Sequence, residues 1–301
     1  MNEQLEGLTT RPLVPTDARA VFEVMAAQEK ADIGEVVIEE ADIVGDWQRP
    51  SFDVSASTIG YFEGDQLVGY GEVSGPWHGD AAVRPDHRGR GIGTRIAQWM
   101  QETARARGSV IIGMPVPEGS PGDRLLESLG YFVRWTSWVL ELPAGATIPH
   151  REPPAGHAVR EARPDEYEAC WAVTEDAFLE WSERERASFE DWSANVTNRP
   201  GFEPWNLRVA VDPAGEVVGV AFVHKNVDYG YVDKLATRKD QRGKGLAQCL
   251  LIDAFSTARE HGCTRSELST DSRTGALTLY EKVGMRPTST WLHRAIKLVE
   301  D

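Results

Sequence analysis

Scarcity of certain features narrows this chain first. Cysteine occurs three times in 301 residues, as Cys170, Cys249 and Cys263, with no CxxC spacing. An odd, unspaced set argues against a disulfide framework or a bound metal and fits a reducing, cytoplasmic setting. All three fall within apolar or helical patterns, as buried structural thiols do. No apolar run approaches the roughly 20 residues of a membrane helix, so no membrane association is expected. Residues 1–13 lack a basic stretch followed by an apolar one, so no secretory signal is expected there. Basic charge is also scarce: 32 Lys and Arg stand against 47 Asp and Glu, a formal net charge of −15. Nucleic-acid binders carry a basic face, so no nucleic acid is expected as a partner. An acidic protein attracts cations over distance, which suits an amine-bearing substrate; simple solubility is the equal alternative.

What is present is an ordinary globular composition, 41% hydrophobic and 26% charged, long enough for two domains. The chain also repeats itself. Arg11 and Pro15 match Arg160 and Pro164 at an offset of 149, where each pattern ends a strand and opens a helix. Gly69 matches Gly219 at an offset of 150, behind a hairpin signal in each case. Arg88, Gly108 and Gly130 match Arg242, Gly262 and Gly284 at an offset of 154. An offset that grows without reversal indicates two copies of one fold with small insertions. The Pro- and Gly-rich stretch 142–156 reads as the linker, giving copies at 1–148 and 157–301. Each copy orders as helix, strands, glycine turn, long helix, strand, helix, strand. Leu246, Leu250, Leu251, Ala254, Phe255 and Ala258 recur at helical spacing, which is core packing.

The glycine turns carry the chemistry. A strand, a Gly-rich turn and a helix in succession set free backbone N–H groups at a helix's positive end, where phosphates bind. The turn occurs twice, as Arg88-Gly89-Arg90-Gly91-Ile92-Gly93-Thr94 and Arg242-Gly243-Lys244-Gly245-Leu246-Ala247. Both fit Arg/Gln-x-x-Gly-x-Gly/Ala. Neither has the spacing of a dinucleotide fingerprint or the Gly-Lys-Ser/Thr ending of a P-loop.

These turns, with the stretch Leu279-Tyr280-Glu281-Lys282-Val283-Gly284-Met285 near the end, resemble the GNAT superfamily of N-acetyltransferases, once per half. The resemblance implies an α/β (α+β) chain of two tandem GNAT-like domains, each a mixed, mostly antiparallel sheet flanked by helices. It implies acetyl-CoA as co-substrate, with the turns cradling its pyrophosphate. It also implies that Leu235, Ala236 and Thr237, and Ala82 and Val83 in the first copy, offer backbone groups to the pantetheine arm. Tyr280 is then the acid that protonates the departing thiolate. Its pKa of about 10 lies close to that of a thiol. The alternative is a packing residue. The matching position in the first copy is Leu126, which has no proton to give, so the first copy is expected to be degenerate.

Asp233 is the carboxylate available as a general base on the strand before the turn, two residues after Tyr231 and so on its face. The alternatives are a structural pair with Lys234 or an arginine, and a water chain as base. Arg273 stands where the family often has Asn, three residues before Ala276, and is a candidate for contact with CoA or substrate. Residues 161–191 hold eleven acids and three arginines, with Trp171 and Trp181 inside the segment and Trp192 and Trp205 just after it. Aromatic and acidic groups together suit a cationic acceptor; helical spacing of Tyr167, Cys170, Trp171, Thr174 and Phe178 suits core packing instead. Two such domains in one chain resemble bacterial tandem acetyltransferases, mycothiol synthase and antibiotic N-acetyltransferases among them. The expectation is a small-molecule primary-amine N-acetyltransferase, monomeric or homodimeric. The alternatives are a mycothiol-synthase-like transferase and a non-catalytic acetyl-CoA sensor.

Overall fold

The computed structural model describes residues 5–182 and 184–299. The chain runs β1 (Thr9–Arg11), α1 (Ala18–Asp32), α2 (Glu40–Trp47), α3 (Val54–Ser57), β2 (Thr58–Glu63), β3 (Gln66–Ser74), β4 (His78–Val83), α4 (Ile92–Ala106), β5 (Ile111–Pro117), α5 (Pro121–Ser128) and β6 (Phe132–Leu142). It continues through β7 (Ala158–Glu161), α6 (Tyr167–Phe178), α7 (Phe189–Asn195), β8 (Leu207–Val211), β9 (Val217–Lys225), β10 (Tyr229–Thr237), α8 (Leu246–Glu260), β11 (Arg265–Asp271), α9 (Leu277–Lys282) and β12 (Arg286–Lys297). No helix among the described residues is long and apolar enough to cross a membrane.

Two compact units result: residues 1–136 with 291–301, and residues 137–290. The strands β6 and β12 therefore each divide their residues between the units. The Pro/Gly stretch lies wholly inside the second unit. Repeats at 1–148 and 157–301 and these compact units are thus different divisions of the chain, because strand pairing decides the latter and composition suggests the former.

In the first unit β1, β2, β3 and β4 pair antiparallel in sequence order. Parallel pairing of β4 with β5 is confined to His78 against Gly113, and residues 291–297 of β12 run antiparallel to β5. The second unit repeats this plan. Strands β7, β8, β9 and β10 pair antiparallel, β10 meets β11 in parallel only through Tyr229–Tyr231, and residues 137–142 of β6 run antiparallel to β11. Each unit is thus a mixed, mostly antiparallel sheet with helices against it. In each, the strand entering the glycine turn loses its parallel neighbour part-way along.

The cores follow the apolar patterns. Ile92, Ile96, Ala97, Met100 and Ala104 of α4 are buried with Val68, Val73 and Ile112 of the sheet. Leu246, Leu250, Leu251, Ala254, Phe255 and Ala258 of α8 are buried with Val218, Ala221 and Val223, so that stripe is given over to packing. Gly108, Gly130, Gly262 and Gly284 all have positive φ just past α4, α5, α8 and α9, where left-handed backbone ends a helix. The three cysteines are buried and unpaired.

Candidate active site

The second unit builds the site from β10 forward. The Arg238 N–H donates to the Val218 carbonyl at 2.9 Å, so the β10–β9 ladder continues to the strand's end. Antiparallel bonding alternates, which turns the backbone groups of Leu235 and Thr237 away from β9. On that other side pairing with β11 has stopped at Tyr231. Leu235 and the Thr237 N–H therefore present an open backbone edge, while Ala236 faces the ladder. The buried Thr237 Oγ1 beside this edge has no hydrogen-bond partner among the described residues.

The edge leads into the turn. A short 3-10 segment, Lys239–Gln241, precedes Gly243 at φ +76° and Gly245 at φ +86°. Both angles lie where only glycine is unstrained. Gly245 is the N-cap of α8, and its carbonyl accepts the first helical bond, from the Cys249 N–H at 3.1 Å. The N–H groups of Leu246, Ala247 and Gln248 accordingly lack acceptors within the helix and point out of its positive end. Leu246 contributes backbone alone, since its side chain is in the core. Arg242 braces the turn: its Nε donates to the Thr237 carbonyl at 3.1 Å, and its two Nη atoms reach Glu180 at 2.9 and 2.7 Å. Lys244 Nζ donates to Gln241 Oε1.

The first unit builds the same turn with different occupants. Gly89 and Gly91 have φ +78° and +85°. Gly91 caps α4 and accepts from the Arg95 N–H at 3.1 Å. Ile92 is buried in the core, and a β-carbon on Gly93 would lie 2.8 Å from Leu125; Thr94 follows in the first turn of α4. Arg88 is held by Asp32 at 2.8 and 2.9 Å, and Arg90 by Glu63 at 2.9 Å. The edge amide of β4 is occupied, with the Val83 N–H donating to Gln28 Oε1 at 3.0 Å.

Tyr280 and Leu126 occupy equivalent places. Each accepts at its carbonyl from the residue five positions on, Met285 at 3.2 Å and Tyr131 at 3.0 Å, and both side chains are buried. Burial pushes the Tyr280 phenol above its ordinary value, against a hydrogen bond with Thr270 that pulls it down. A phenol so placed is protonated at neutral pH and holds a proton it can donate. Thr270 is itself 2.9 Å from the Thr274 hydroxyl.

Asp233 sits differently from the expectation. The β10–β9 register shifts between Val232 and Lys234, leaving Asp233 as the extra residue of a bulge. A bulge breaks the two-residue alternation, so spacing no longer places Asp233 on the face of Tyr231. Its Oδ2 lies 2.7 Å from Lys234 Nζ. Although the side chain is exposed, loss of water around the carboxyl would raise it; Lys234, His224 and Arg199 outweigh this and hold it below the usual range. Arg273 is tied to Asp271 at 2.6 and 3.1 Å and lies over the Trp181 ring at 4.9 Å. Arginines also take up part of the acidic segment: Glu175 with Arg184, Asp176 with Arg186, Glu166 with Arg160 and Arg163. Sequence reading missed Gln28, Glu180 and Arg199, brought in from far along the chain, and Thr270 and His224, brought in from neighbouring strands, none with a spacing signal.

The profile of the acetyltransferase (GNAT) family matches residues 23–131 and again 159–285. The chain belongs to the GNAT acetyltransferase family. It is a tandem member, with one match in each half. Among its relatives, a mycothiol acetyltransferase of Thermobispora bispora is 27% identical over 286 residues, 90% of this chain and 92% of that one. A mycothiol acetyltransferase of Salinispora tropica is 29% identical over 72% of this chain and 74% of its own. A GCN5-related N-acetyltransferase from Sphaerobacter thermophilus superposes with a TM-score of 0.75 at 25% identity, covering 98% of this chain and 97% of that one. A tandem GNAT protein from the clavulanic acid biosynthesis pathway shares the fold, with a TM-score of 0.72 at 19% identity over 98% and 99% of the two chains.

Proposed function

We propose that the second unit is an acetyl-CoA-dependent N-acetyltransferase acting on a primary amine of a small molecule. One observation carries the reading: the open backbone edge at Leu235 and the Thr237 N–H runs directly into a glycine turn whose amides lack internal acceptors. An extended pantetheine arm can pair with such an edge as a strand would, and a diphosphate can sit on the amides beyond it. The first copy, without a phenol at Leu126 and with its Val83 amide taken, serves as scaffold.

In this reading a neutral amine attacks the thioester carbonyl. Edge N–H groups stabilise the tetrahedral oxyanion. Collapse breaks the C–S bond, and the Tyr280 hydroxyl gives its proton to the leaving sulfur. The attacking nitrogen loses a proton to water or to Asp233, whose lowered pKa makes it a weak base, and the phenol recovers its proton from solvent. The reading is tested by mixing protein, acetyl-CoA and a panel of primary amines and following free thiol. Amine-dependent release is expected; CoA binding without release on any amine would favour a sensor.

A second reading narrows the acceptor to the cysteinyl glycoside amine of a mycothiol-synthase-like reaction. It is supported by a mycothiol acetyltransferase that aligns along 90% of the chain. Including such a glycoside in the panel separates the two, since a preference for polyamines or aminoglycosides would remove it.

A further inference from the structure

We propose that Arg151, in the segment ahead of β7, is a ligand to the donor's diphosphate, a role that rests on the acetyl-CoA reading above. The segment is seated on the glycine turn of its own unit. Cys249, in the first turn of α8, lies 3.7 Å by its Sγ from the Glu152 carbonyl and 4.0 Å from that of Arg151. The His157 ring is 3.5 Å from Gln241 Oε1. So seated, the segment lays the Arg151 guanidinium directly over Gly245. A β-carbon built there would lie 2.6 Å from its Cζ and 2.7 Å from its Nε. Gly245 thus serves two needs, a left-handed φ and room for a planar cation against the backbone.

Among the described residues, Arg151 and Lys244, whose Nζ donates to Gln241 Oε1, are the cations at the turn without a carboxylate partner. A diphosphate needs positive charge as well as amides. Arg242, the arginine inside the motif, is committed to a bidentate pair with Glu180, and Arg238 to Asp240 at 2.7 and 3.1 Å. No carboxylate among the described residues pairs with Arg151. It is the exposed guanidinium at the turn left available to an incoming anion, and its planar fork suits two phosphate oxygens at once. The first unit makes the contrast: the atom nearest a β-carbon on Gly91 is Leu5 Cδ2, at 3.5 Å, an apolar cover.

The test compares two donors, acetyl-CoA and S-acetyl-pantetheine, which has the same thioester and no diphosphate. The ratio of their kcat/KM values is measured for wild type, Arg151→Gln and Arg151→Lys at two ionic strengths. The expected result is a fall of 10-fold or more in the acetyl-CoA preference of Arg151→Gln, carried by KM, with partial recovery in Arg151→Lys and a weaker salt dependence. An unchanged ratio in a folded Arg151→Gln protein overturns the assignment, as does an equal loss on both donors, which a merely structural arginine would give. Failure of the functional reading looks different: wild type itself then turns over neither donor.

Discussion

At the scale of the residue, each environment decides how tightly a proton is held. Tyr280 is buried with its phenol pushed upward, so it holds a proton at neutral pH, as the proposed proton donor must. Asp233, held below the ordinary range by nearby cations, is ionised but weakly basic. Asp233→Asn is therefore expected to lower kcat by less than about 10-fold, below the roughly 100-fold or more of general-base catalysis, and to leave the pH profile of kcat/KM unchanged above pH 6. A steep loss with a vanished acidic limb would make it the base. In the first unit, burial and then the charge of Glu72 raise the Asp80 carboxyl from 3.8 to about 7. A raised carboxyl binds its proton more tightly folded than unfolded. Its stabilising contribution is complete below the unfolded value and is lost as pH rises toward 7. Asp80→Asn should thus match wild type near pH 4 and exceed it above pH 7; melting curves at the two pH values check this, and parallel shifts would contradict it. The identities of Tyr280 and Leu126 were legible because a motif names their position. Glu72 opposite Asp80 was not, because cross-strand register is invisible in one strand alone.

At the scale of the element, the strand–turn–helix unit forms the proposed donor site, and its glycines differ in a way that can be measured. Gly243 and Gly245 both have positive φ, but a β-carbon on Gly243 meets nothing within 4 Å, whereas on Gly245 it meets Arg151. Either alanine should cost about 1–2 kcal/mol in backbone strain. Gly245→Ala should add a rise in the acetyl-CoA KM that Gly243→Ala shows to a smaller degree. Equal KM values for the two variants would contradict the crowding over Gly245. Turns, caps and the α8 stripe were legible because glycine and apolar spacing act locally. The bulge at Asp233 was not. It arises from how β10 registers on β9, and it cancels the face assignment that simple alternation gives.

At the scale of the whole molecule, the repeat was legible from matched offsets alone, and the family match in both halves agrees with it. The way each unit completes itself was not: residues 291–297 of β12 pair with β5 in the first and residues 137–142 of β6 with β11 in the second, which only pairing reveals. Within the first unit, Arg294 of β12 forms a buried ion pair with Asp123 at 2.7 Å. Arg294→Met strands that carboxylate and should cost about 3–5 kcal/mol, seen as a lower Tm; an unchanged Tm would show that β12 contributes little there. The central claim is that acyl transfer occurs in the second unit, with Tyr280 as the proton donor. The most direct measurement is the amine-dependent rate of thiol release from acetyl-CoA by wild type, Tyr280→Phe and Leu126→Ala. A loss of at least about 100-fold in Tyr280→Phe, borne by kcat, with Leu126→Ala still active where it remains folded, is the predicted result. Full activity in Tyr280→Phe would contradict the account.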